Sequence, residues 1–116
     1  MNRVNILNAE LLKTAGYNSK CRYYYNKFGS LYIGDNTNKR FEYSQYYSAP
    51  NLFDVLSWFR NEKNINIVIL SDDYITWTYY IIKKGNNLKN SIKEILSGEY
   101  NNVLNDAIYN TLKIII

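Results

Sequence analysis

A chain of 116 residues has the length of one domain and one modest core, and is too short for two. Histidine is absent and Cys21 is the only cysteine, which excludes, within one chain, Ser-His-Asp and Cys-His catalysis, an internal disulfide and a zinc cage built on thiolates. The net charge of +4 resides in residues 1–50, where seven bases face three acids, while residues 51–116 are balanced.

Leu7, Leu11, Leu12 and Ala15 share one helical face, and Gly16 follows where a left-handed cap is least costly, so a short helix is expected to end there. Cys21 to Tyr25 leads through Asn26-Lys27-Phe28-Gly29 into Leu31-Tyr32-Ile33, a hairpin with Asn and Gly in its turn. Asp35 to Asn38 reads as a polar loop and Phe41 to Tyr47 as a third, edge-like extended stretch. Pro50 suits a helical first turn, with Ser48, Ala49 or Asn51 near the cap. Leu52, Val55, Leu56 and Phe59 then define the firmest helix, running to about Lys63.

Ile65 to Leu70 is apolar too continuously for a half-exposed strand and predicts a central one. Asp72-Asp73 makes a turn, and Thr76 to Ile82 returns with Trp77, Tyr79 and Ile81 on one face. Leu88, Ile92, Ile95 and Leu96 fit a short helix or an irregular strand. Val103, Leu104, Ala107, Ile108 and Leu112 define a final helix, with Asn101 or Asn102 as its cap. Ile114 to Ile116 form an apolar tail expected to dock on the sheet or on a second copy of the chain. The order predicts a single α+β domain over residues 1–116: an antiparallel sheet, from hairpins at about 21–33 and 65–82, with helices packed on one face.

The segment from Met1 to Leu12 lacks the pattern of a signal peptide, and no apolar run approaches the roughly 18 residues of a membrane span. A reducing, cytoplasmic setting without membrane contact is the expectation.

Three stretches together carry a resemblance. Leu11 to Tyr17 followed by Cys21 to Tyr25, Ser48-Ala49-Pro50 opening into Val55 to Arg60 with Ile65 to Ile67 behind, and Asn102 to Ile108 with Leu112 resemble a family of small proteins of phages and integrated elements in gut Bacteroidota. Members usually carry Glu-Glu-Ala-Leu at the start of the last helix, where this chain has Asn102-Val103-Leu104. The resemblance implies a phage-related origin, within a bacterial host cell, and brings no functional residue with it.

No phosphate-cradling glycine loop and no Cys-x-x-Cys motif is present, so no cofactor and no metal are expected. Asp72-Asp73 could offer oxygen ligands to Mg²⁺ or Ca²⁺, but a hairpin turn favours Asp for its own backbone bonds. Cys21, between Lys20 and Arg22, would be reactive if exposed; a cysteine entering a strand is more often a small buried hydrophobe. The richest functional signal is the first fifty residues, which hold eight of the thirteen tyrosines among most of the bases. Lys20, Arg22, Tyr23, Tyr25, Lys39 and Arg40 are the candidate binding residues. Rings and cations in this mixture anchor protein interfaces, and they also stack on bases and neutralise phosphates. The reading is a non-enzymatic accessory protein that binds a host protein. A nucleotide or single-stranded nucleic acid is the alternative partner, and a homo-oligomer joined through the last helix and Ile114 to Ile116 is a third possibility.

Overall fold

The computed structural model describes residues 2–71, 77–83, 86–91 and 100–116, the segment 86–91 by its backbone alone. Helix α1 (Ile6–Thr14) starts at Asn5, whose side chain accepts the Asn8 N–H at 2.9 Å, and ends at Ala15, followed by Gly16 at φ 93°. The left-handed turn falls on the glycine, where no Cβ opposes it. Strands β1 (Cys21–Tyr25) and β2 (Leu31–Asn36) form the expected hairpin, and Asn26 closes its turn by accepting from the N–H groups of Phe28 and Ser30. β2 runs on through Asp35 and Asn36, so the polar loop starts later than the sequence indicates.

The stretch from Phe41 to Tyr47 is not a strand. Residues 38–43 turn tightly, with Phe41 and Ser44 N–H groups bonding to carbonyls three residues back, and only β3 (Tyr47–Ser48) is extended. It pairs with β1 and gives the sheet order β2-β1-β3. Helix α2 (Leu52–Lys63) is capped by Asn51, which accepts the Phe53 N–H at 2.8 Å, and closes on Asn64 in the left-handed region at φ 55°. Pro50 stands just before the cap rather than in the first turn; its carbonyl accepts the Val4 N–H at 3.1 Å and ties down the N-terminal segment.

Strands β4 (Ile65–Leu70), β5 (Thr78–Lys83) and β6 (Asn86–Ser91) make a second antiparallel sheet in the order β4-β5-β6. Two corrections follow. The hairpins occupy separate sheets: the first takes β3 as its third strand and the second takes β6. Strand β4 pairs on one side only among the described residues, and the middle position belongs to β5. Its run of branched residues conceals an alternation: Ile65, Ile67 and Ile69 turn inward while Val68 and Leu70 are exposed. The pair Asp72-Asp73 lies outside the described residues, as does the chain from Ile92 to Glu99. Within the segment read as helix or strand, the described part is strand β6.

Helix α3 (Tyr100–Ile115) buries Val103, Leu104, Ala107, Ile108, Thr111 and Leu112 along one face. Asn101 and Asn102 sit inside its first turn and so are not its cap. It packs against α1, α2, β4 and β5, and α1 against β3, so the helices form a layer that joins the two sheets. One buried cluster runs through that layer, from Val4, Leu12 and Tyr17 through Phe59 to Ile81 and Leu112. Asn8, buried in α1, donates to the Asn105 carbonyl of α3 at 2.7 Å and registers the two helices. Ile115 packs on the core while Ile114 and Ile116 remain exposed. No helix among the described residues is long and apolar enough to cross a membrane.

Candidate functional site

Alternation along β1 sorts its aromatic residues onto two faces. Tyr23 and Tyr25 turn toward the N-terminal segment. The Tyr25 hydroxyl donates to the Val4 carbonyl at 2.7 Å, and the Arg3 guanidinium lies 4.0 Å from the centre of the Tyr23 ring. Both rings are half-buried by these contacts, so they contribute to the fold on the side away from Tyr24.

Tyr24, on the other face, stacks on Tyr32 of β2 with ring centres 5.4 Å apart and planes 19° from parallel. Phe41 and Tyr46, from the loop between β2 and β3, approach Tyr24 at 5.2 and 5.7 Å and each other at 5.5 Å. Gly34 leaves room for the cluster, since a Cβ there would meet the Tyr24 ring at 3.4 Å. Edge-to-face and offset pairs of this kind add to the burial of each ring. The four rings nevertheless remain partly in water, with Tyr32 44 % and Tyr46 42 % exposed. Phe28 at the hairpin tip, Ile33 on β2 and Tyr43 in the loop are exposed as well, at 80, 72 and 96 %.

Lys20, Arg22 and Arg40 converge on one open depression of about 570 Å³ at the end of the hairpin away from its turn, with Cys21, Asp35, Asn36 and Thr37 completing its lining. Arg40 donates one N–H to the Asp35 carbonyl at 3.3 Å; among the described residues none of the three cations is in an ion pair. Lys39 points elsewhere. It lines a neighbouring depression of about 450 Å³ with Tyr17, Asn18 and Glu42, and its backbone N–H donates to Asn18. Of the six residues nominated from the sequence, the fold therefore gathers three cations, sets Lys39 beside them and turns Tyr23 and Tyr25 away.

What the sequence reading left out of that set is the ring cluster. Tyr24 and Tyr32 could have been chosen by pairing the hairpin about its Asn-Gly turn, which puts them opposite one another. Phe41 and Tyr46 had no such signal, because a run of turns rather than a strand brings them in.

The loop carrying Phe41 and Tyr46 is held from behind by Lys13. Its ammonium donates to the carbonyls of Phe41, Ser44 and Tyr46 at 2.5, 2.8 and 3.0 Å. Partial burial lowers its pKa from 10.5, while the three carbonyls favour the charged form. Cys21 is buried, and its thiol donates to the Ser19 carbonyl at 3.4 Å. Desolvation first, then the nearby Asp54 carboxylate, push the thiol up to about 11, with a Ser48 hydrogen bond opposing them. It therefore contributes no nucleophile to the depression it adjoins. Among the described residues no group of three or more His, Cys, Asp or Glu side chains is placed to hold a metal ion.

Comparison with known protein families, with curated proteins and with solved structures returns no match to the chain.

Proposed function

We propose that the chain is a non-catalytic accessory protein of phage type that acts by binding a host protein through the outer face of its first sheet. The observation that carries this reading is the cluster of Tyr24, Tyr32, Phe41 and Tyr46 beside three cations that, among the described residues, are in no ion pair. Rings already held by one another lose little side-chain freedom on binding, and rim cations set the orientation of an acidic partner. Partly exposed rings of this size are typical anchors of protein interfaces. In the test, tagged wild-type protein and the Tyr32→Ala and Arg22→Glu/Arg40→Glu variants are compared for capture of a host protein. The variants are expected to keep the wild-type circular dichroism and to lose capture; undiminished capture by both would reject this face.

A second reading draws on the depression alone. A volume of about 570 Å³ with three cations on its wall suits a nucleotide, the phosphates toward Lys20, Arg22 and Arg40. Fluorescence titration with mononucleotides and cyclic nucleotides at low salt tests it, and binding that is absent there, or insensitive to salt, would sink it.

A further inference from the structure

We infer that the free edge of β2 accepts an extended, acidic segment of the partner protein as a fourth strand of the first sheet. The inference rests on the protein-binding reading above and specifies how the partner docks. Among the described residues β2 pairs with β1 alone and stands at the end of the order β2-β1-β3. Leu31, Tyr32 and Ile33 are exposed in succession, at 39, 44 and 72 %. Neighbouring strand residues point to opposite faces, so neither face of this edge is covered. The stretch Leu31 to Ile33 carries neither a charge nor Pro, the features that usually blunt such an edge; the one charge of the strand, Asp35, stands near its end.

The Tyr23 carbonyl accepts the Ala49 N–H at 2.9 Å, so its backbone ladder bond runs to the β3 side, and from β2 it takes only the Asn36 side-chain amide. Tyr23 is paired with Ile33, which makes this a pair that exchanges no ladder bonds, and the N–H and C=O of Ile33 point out to the open edge. Leu31, opposite Tyr25 two residues along, is oriented in the same way. Two residues thus offer a donor and an acceptor each, at the spacing a new strand requires.

Charge selects the occupant. The edge ends at Asp35 and Asn36, on the depression where Lys20, Arg22 and Arg40 have no ion pair among the described residues. Asp35 is the one carboxylate on that lining and leaves a surplus of positive charge; a second copy would bring the same three cations and another net +4, whereas an acidic segment offsets the surplus. Antiparallel addition, the arrangement of the rest of the sheet, sets the order of the partner sequence: carboxylates first, beside the depression, then apolar residues two apart along Ile33 and Leu31.

The test is a titration of ¹⁵N-labelled protein with a synthetic, end-capped peptide of about eight residues, acids first and then alternating Val and Thr. Shifts and slowed exchange at the Leu31 and Ile33 amides are expected. Replacing the acids by Lys, or N-methylating the edge-facing amides of the peptide, is expected to weaken binding about tenfold or more. Ile33→Pro removes an N–H that no hairpin bond uses and should abolish binding. Millimolar peptide that leaves the Leu31 and Ile33 amides unmoved, or equal affinity for the Lys peptide, would overturn the inference. So would a dimer in light scattering with these amides protected in the absence of peptide. If host capture is lost in Tyr32→Ala but survives Ile33→Pro, the partner lies on the face rather than along the edge, and this inference fails while the binding reading stands.

Discussion

Ser48 donates its hydroxyl to the Asn36 side-chain oxygen at 2.6 Å, and through that bond the short β3 is fastened to the far end of β2. Both residues are buried. The Asn36 amide donates in turn to the carbonyls of Gly34, Tyr23 and Cys21 at 2.8, 3.0 and 3.2 Å, so one side chain joins both strands of the hairpin beneath the basic depression. Asn38 extends the network, accepting the Ser48 N–H and donating to the Tyr17 carbonyl, both at 2.9 Å.

Removing the hub is expected to cost more than removing the spoke. Asn36→Ala takes the side-chain amide from the Cys21 and Gly34 carbonyls and the acceptor from the Ser48 hydroxyl, while the Tyr23 carbonyl keeps the Ala49 N–H; at roughly 1–3 kcal/mol for an unsatisfied group it should destabilise the protein by about 3 kcal/mol. Ser48→Ala leaves a single buried acceptor unpaired and should cost about 1–2 kcal/mol. Urea unfolding of both variants measures the difference; equal losses would show that the Asn36 amide contributes nothing beyond the Ser48 bond.

Lys13 bears on the ring cluster without touching a ring in it. Its three carbonyl acceptors belong to Phe41, Ser44 and Tyr46, so Lys13→Met is expected to free the loop while the helix that carries it remains. The expected signature is faster amide exchange over residues 41–46 and a stability loss of about 1–3 kcal/mol, with helix content unchanged by circular dichroism. Exchange in the loop that stays at the wild-type rate would mean the ring contacts hold it alone.

The helices were legible because local patterns determine them. Asn5 and Asn51 cap where polar residues precede apolar periodicity, and Gly16 ends α1 as its position in the sequence implies. Strand position was less so. Ile65 to Leu70 gave no sign of an edge, since Val68 and Leu70 are apolar yet exposed, and the identity of a strand's neighbours depends on distant chain. The same limit applied to the site. Charge arithmetic pointed to the half of the chain that holds the depression and the ring cluster, but alternation decides which tyrosine of Tyr23-Tyr24-Tyr25 reaches the outer face, and that phase is set by Cys21 entering the core and by the pairing with β2. Phe41 and Tyr46 depend on a lysine in α1, a relation that periodicity does not carry.

Cys21 is expected to be inert in the folded protein. With the thiol at about 11 against an ordinary 9.0, the thiolate fraction at pH 8 falls about a hundredfold, before burial slows access further. Reaction with a chromogenic disulfide should therefore be slow in buffer and prompt in denaturant. Prompt reaction in buffer would place the thiol at the surface and reopen its use as a nucleophile.

Stability is expected to fall in alkali, and the sign follows from three acids, Cys21 and Tyr17 buried and Tyr25 half-buried. Cys21 is raised from 9.0 to about 11, and burial raises Tyr17 and Tyr25 above their ordinary 10.0. Each group then holds its proton more tightly when folded than when unfolded. The unfolded chain releases protons first as pH rises past 9, which favours unfolding. The stabilisation is complete below pH 9; the share from Cys21 is lost between 9 and about 11, up to about 3 kcal/mol, and the tyrosines add to it above 10. Lys13 works in the opposite sense, because a lowered pKa means the folded state gives up its proton earlier, so that stability rises with pH up to 10.5. Three groups against one leave a net decline. Denaturant midpoints should drop between pH 9 and 11, and Cys21→Ala should flatten that drop; a midpoint that is constant across this window in the wild-type protein would show that the thiol and the two phenols ionise alike in both states.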